Sequence, residues 1–154
     1  MSVFAAIRPD EWNFPLLLHV LGAMLLVGGL VTAVTALLLG WRRDAASYSR
    51  LGFWALLLIA FPAWWLMRIG AQWIYSKENF NEDDEPGWLG IGYLTADGGG
   101  LLLLVTIILT GIGVRRLRGG GEGPSALTRV GGVLAAVILL AYIVAVWAMT
   151  AKPG

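Results

Sequence analysis

The sequence predicts an all-α fold, a four-helix transmembrane bundle with both termini extracytoplasmic. Two observations predict it. The apolar residues are gathered into long blocks instead of a period-2 or period-3.6 pattern, and positive charge is concentrated in two of the connections between the blocks. The chain has 154 residues, 58% of them hydrophobic, with a mean hydropathy of +0.74. A soluble domain carries about 45–50% apolar residues. The four blocks are Phe14–Gly40, Leu51–Tyr75, Gly90–Val114 and Ala126–Met149. Each reaches about 20 residues, enough to cross a hydrocarbon core of roughly 30 Å. Helices that are apolar all round need lipid or a large core around them, and a chain of this length cannot build such a core for four. The whole chain therefore reads as one transmembrane domain.

Composition narrows the function classes. A net charge of +1 with no basic stripe outside the membrane flanks gives no partner role to nucleic acid. The absence of cysteine removes disulfides, thiolate metal sites, iron–sulfur clusters and cysteine nucleophiles. A single histidine excludes a bis-histidine haem and leaves a poor donor set for zinc or copper. No cofactor is specified. Nine Arg against two Lys, with abundant Gly, Ala, Val and Leu, is the composition of a GC-rich bacterium, so the expected location is the inner membrane. The expected partners are the lipid bilayer and either a second copy of the chain or a larger membrane complex.

Taken in order, Met1–Asn13 is a short polar lead with Trp12 at the interface. It carries Arg8 but also Asp10 and Glu11, and the apolar run after it is too long for a signal peptide, so it is expected to be retained. Helix one starts near Phe14–Pro15, where proline is tolerated in a first turn. Gly28, Thr32, Ala36 and Gly40 recur along it every four residues, with Gly29 and Ala33 beside them, as a small-residue packing seam. Arg42–Arg50 reads as a short connection. The second helix, Leu51–Tyr75, contains Pro62, which cannot donate to Leu58 and is expected to kink it. The next connection holds the acidic run Glu82–Glu85, a solvated loop or a docking surface for a basic partner. The third helix ends at Arg115–Arg116–Leu117–Arg118, and a glycine-rich linker leads past Arg129 into the fourth. Gly131–Ala135, Gly132–Ala136 and Ala141–Ala145 give that last helix a second small-residue seam.

Seven of the eleven Lys and Arg lie in or beside the first and third connections: Arg42, Arg43, Arg50, Arg115, Arg116, Arg118 and Arg129. Cytoplasmic loops are enriched in Lys and Arg. Both connections are therefore expected on the cytoplasmic side.

Three ionisable residues stand inside the apolar runs: His19, Arg68 and Asp97. An unpaired charge at the bilayer centre costs about 2.5–3.5 kcal/mol. Counted at about 1.5 Å per residue from the arginine-rich ends, all three fall in the outer third of their helices. The coincidence predicts a polar cluster in which Arg68 pairs with Asp97 and His19 lies nearby. Trp64, Arg68 and Gln72, spaced four apart, share a face, which offers Trp64 as a cation–π partner for the guanidinium. Such a site would take an anionic or protonatable small ligand, or relay protons. Two plainer readings stay open. Arg68 can snorkel to the headgroups beside Trp73 and Tyr75, and Asp97, ahead of Gly98–Gly99–Gly100, can be the N-cap of a helix that begins there. No nucleophile–base pair is visible, so a non-enzymatic role leads. A structural accessory subunit and a quinone- or haem-linked redox protein are the alternatives.

The stretch Leu16–Leu17–Leu18–His19–Val20–Leu21–Gly22–Ala23, followed by Gly28–Gly29, resembles the first helix of small four-helix bacterial integral membrane families of unknown function. It is also similar to the opening of the copper-resistance D membrane domain. The resemblance implies a membrane bundle and singles out His19.

Overall fold

The computed structural model describes residues 13–78, 87–120 and 123–151. The described residues form helices and short turns, without a strand. Helix α1 is Asn13–Leu39, α2 is Ala45–Ala55, a π-helical turn spans Leu56–Ala60, α3 is Phe61–Glu78, α4 is Gly87–Arg118 and α5 is Ala126–Ala151. Four stretches are long and apolar enough to cross a membrane: Asn13–Leu39, Ala45–Lys77, Gly90–Arg118 and Ala126–Ala151. The second is α2, the π turn and α3 in series. Trp12, the acidic run Glu82–Glu85 and the terminal Lys152 lie outside the described residues.

The second span begins earlier than its hydropathy suggests. Residues from Ala45 to Arg50 are helical, although the polar Ser47, Ser49 and Arg50 resemble a loop in composition. Asp44 starts the helix by accepting from the backbone N–H groups of Ala46 at 3.1 Å and Ser47 at 3.2 Å, satisfying donors that the first turn leaves free. The serine's side chain and backbone hydrogen bonds, with that of Ala46, hold the Asp44 carboxyl below its ordinary 3.8. Ser125 performs the same service for α5, accepting from Thr128 N–H at 3.2 Å. At the end of α4, Gly120 adopts φ 93°, the left-handed conformation that lets the chain leave the helix.

Pro62 acts on the turn that precedes it. The Phe61 N–H reaches back five residues to the Leu56 carbonyl, closing a π turn just ahead of the proline. The ring of a helical proline collides with the carbonyl four residues earlier, and a wider turn relieves that crowding.

Two helix pairs make the bundle. In the first, α1 packs against α3 backbone to backbone. A Cβ on Gly22 would lie 2.9 Å from the Ala63 carbonyl oxygen, and one on Gly70 would lie 2.8 Å from that of Pro15. Neither site has room for a side chain. The buried residues of α1 are accordingly Pro15, Gly22, Leu26, Gly29, Leu30, Ala33, Ala36 and Leu37. The expected seam through Gly28 and Thr32 is corrected: both are exposed, and a Cβ on Gly28 would meet nothing within 4 Å. The partner helix sets the phase of a seam, and glycine spacing alone does not reveal it. In the second pair, α4 lies antiparallel to α5, with Thr110 against Gly131 and Gly92 against Met149.

The pairs close on each other towards the end that carries Arg42, Arg50, Arg115 and Arg129. Leu26, Leu30, Leu37, Leu56, Leu103 and Ile138 are completely buried there and at mid-span. The buried hydroxyls of Thr106 and Thr128 donate to backbone carbonyls one turn earlier, those of Leu102 and Ser125, at 2.7 and 2.8 Å. Towards the opposite end the two pairs part, and polar side chains enter.

Candidate functional site

Arg68 and Asp97 meet across the gap between α3 and α4. Arg68 Nε donates to Asp97 Oδ1 at 2.8 Å and Nη2 to Oδ2 at 3.4 Å. Nη1 donates to Gln72 Oε1 at 3.0 Å. The four-residue spacing puts the amide one turn beyond the guanidinium on the same face. Arg68 therefore points sideways to a carboxylate, with 22% of its side chain exposed against 59% for Asp97. Asp97 sits more than two turns inside α4, so it caps no helix.

The cation–π expectation is corrected. The ring under the guanidinium belongs to Tyr93, whose centroid lies 5.0 Å from Arg68 Cζ. Trp64 turns its indole the other way, and Nε1 donates to the Ala96 carbonyl at 2.8 Å. A buried indole N–H needs an acceptor, and that demand outweighs stacking on a cation already held by a carboxylate. The glycine run reflects this placement. A Cβ on Gly100 would collide with the Trp64 ring, and one on Gly99 would lie 2.8 Å from the Tyr142 hydroxyl. Gly99 and Gly100 seat two aromatic rings instead of opening a helix.

His19 stands beside the cluster without joining it. Its Nδ1 lies 3.0 Å from the Met67 carbonyl oxygen, next to Arg68 on α3. A carbonyl only accepts, so Nδ1 carries a proton, and in the neutral tautomer this selects, Nε2 is the acceptor. No described residue partners Nε2.

Between the helix pairs lies a cavity of about 200 Å³. His19, Met67, Arg68, Tyr93, Tyr142 and Met149 contribute to its walls, with alanine and valine filling the intervals. It falls below the roughly 300–1,000 Å³ of pockets for drug-sized ligands, and fits a compact head group or a length of chain. Val146 at its edge is half exposed on the lipid-facing side of α5. The Tyr142 hydroxyl is buried against Gly99. Of the five residues expected at a site, Arg68 bonds both Gln72 and Asp97, His19 shares the cavity with Arg68, and Trp64 braces α3 against α4. No group of three or more His, Asp or Glu side chains among the described residues is arranged to hold a metal ion.

Sequence reasoning missed Tyr93 and the α5 wall. Tyr93 lies four residues before Asp97, so helical spacing could have found it. Tyr142, Ala145 and Met149 share a face by the same rule, but beyond Arg129 in its first turn α5 has no His, Asp, Glu, Lys or Arg to draw attention to that face. Fold and site together define a helical protein built to cross a membrane four times. Comparison with protein-family models, curated proteins and solved structures finds no match for the chain.

Proposed function

We propose that this chain is a non-enzymatic multi-pass protein of a bacterial inner membrane, with both termini extracytoplasmic. In this reading it binds a small membrane-soluble molecule in the outer half of the bundle, in a carrier or transport-related role. The orientation is supported by the seven arginines gathered at one end of the bundle. The binding role rests chiefly on the cavity, which places one arginine, one histidine and three tyrosines on otherwise apolar walls. Intramembrane ionisable residues mark ligand and ion pathways, and a largely preformed apolar pocket with a few convergent polar groups is the usual form of a small-molecule site.

Mass spectrometry of the intact protein extracted from its native membrane tests the binding role. Ala145 is buried in the cavity wall. Wild type should retain a small molecule that Ala145→Phe, which fills the space, does not. Identical retention by the two proteins would remove the cavity from the account. A carboxy-terminal reporter that proves cytoplasmic would overturn the orientation.

A further inference from the structure

We propose that the ligand of this cavity is a neutral amphiphile whose head group donates a hydrogen bond to His19 Nε2, and that the cavity disfavours ionic head groups. The inference deepens the binding role proposed above and rests on it.

Charge balance carries the first half. Arg68 is the only Lys, Arg, Asp or Glu among the described residues of the cavity wall. Its Nε and Nη2 are both on Asp97, its Nη1 is on Gln72 and its face lies over Tyr93. The pair is neutral as a unit. An anionic head group would have to compete with the Asp97 carboxylate for a cation already bound in fork geometry. A cationic head group would meet the guanidinium first. Either ion would also lose its hydration against walls of Ala, Val, Ile, Met and Tyr, whose described residues hold no free counter-charge to offset the loss. An ordinary reading of Arg68 as an anion receptor therefore fails on its partners.

His19 carries the second half. The Met67 carbonyl fixes the ring through Nδ1 at 3.0 Å, as an outer hydrogen bond fixes the tautomer of a working histidine. The ring lines the cavity, and Nε2 has no described partner. A hydroxyl on the ligand satisfies that acceptor, whereas an ether or ester oxygen cannot. The open edge beside Val146 lets an apolar tail remain in the lipid. Two kinds of molecule share this chemistry, an aliphatic alcohol from the lipid pool and a ring such as a hydroquinone.

The chain has a single histidine, so its imidazole nitrogens can be read without ambiguity. The experiment uses the full chain, labelled with ¹⁵N in the imidazole, in phosphatidylcholine nanodiscs. Nε2 is followed by NMR while 1-decanol, decyl methyl ether, a decyl-substituted hydroquinone, decanoate and decyltrimethylammonium are added in turn. A neutral hydroxyl probe should move Nε2 saturably and bind at least fivefold more tightly than the ether and both ions. The tighter of the alcohol and the hydroquinone assigns the source. In Asp97→Asn, which frees the guanidinium, decanoate should gain at least fivefold.

Decanoate binding to wild type as tightly as decanol would overturn the neutral head group while leaving the binding role intact. No saturable response to any probe would overturn both. An Nε2 already protonated at neutral pH without probe, or no gain for decanoate in Asp97→Asn, would each overturn the inference.

Discussion

The two halves of the bundle are made from similar helices and packed to different ends. Towards the arginine-rich loops the cross-section is filled: Leu30, Leu56 and Leu103 are completely buried, and buried hydroxyls such as Thr106 bond to their own backbone. Towards the other end each helix pair keeps its own tight seam, as Gly22 and Gly70 show, but the pairs stand apart around a cavity. Aromatic and charged side chains bridge that gap at its edge, through Arg68 to Asp97 and Trp64 to Ala96. Tight seams within pairs, with room between them, let the same short chain be a packed bundle that still encloses a cavity.

The sharpest way to break this comparison is to overfill a seam. Gly22→Leu forces a side chain into the α3 backbone and should cost about 3 kcal/mol, the upper end for overpacking, lowering the unfolding midpoint in detergent. Ala145→Phe adds a larger group in the same half but into the cavity, and should cost less than about 1 kcal/mol. Equal losses would mean that the space between the pairs does not exist in solution.

Next comes the filled half. Leu103→Ala removes a completely buried side chain. Water-soluble cores lose about 2–5 kcal/mol on such a change. Here the reference solvent is lipid, so little transfer energy is at stake and packing loss dominates. The expected cost is about 1–2 kcal/mol by the same unfolding assay.

A smaller effect reads the bridge between the pairs. Arg68→Ala and Asp97→Ala should each destabilise, and the double variant should recover part of the loss. A coupling of about 0.5–1.5 kcal/mol is expected, discounted because the carboxylate is more than half exposed. Additive losses would show that the ion pair contributes nothing.

The smallest effect concerns Asp44. Its carboxyl titrates lower in the folded chain than in the unfolded one because Ser47 hydrogen bonds to the charged form. Its stabilising contribution is thus complete above the ordinary value of 3.8 and is lost as pH falls through the depressed one. The wild-type midpoint should fall in that acid window slightly more than that of Asp44→Asn, which keeps a capping side chain without the titration.

The four spans were legible because length and hydropathy are properties of whole segments. The meeting of Arg68 with Asp97 was legible because counting from the arginine-rich ends gives depth, and depth limits partners. Azimuth was harder to read. Gly28 and Gly29 differ by one residue, yet only Gly29 faces the second span, at Ile59 and Ala60 of the π turn, and nothing local to α1 records where that span lies. Trp64 shares a helix face with Arg68 but answers to the Ala96 carbonyl on another helix. The early start of α2 was written in Asp44 as a cap, although the polarity of the turn after it hid the helix from a hydropathy reading.

The π turn at Leu56–Ala60 has a rotational meaning. An α-helix advances about 100° per residue, so a turn that holds one extra residue offsets everything beyond it by about that angle. The direction in which Arg68 points is therefore set ten residues away, by the crowding around Pro62. Removing a single residue from 56–60 would leave composition and hydropathy nearly unchanged while turning Met67 and Gly70 off α1 and aiming the guanidinium away from α4. The span behaves as two joined screws whose relative angle is fixed at the joint.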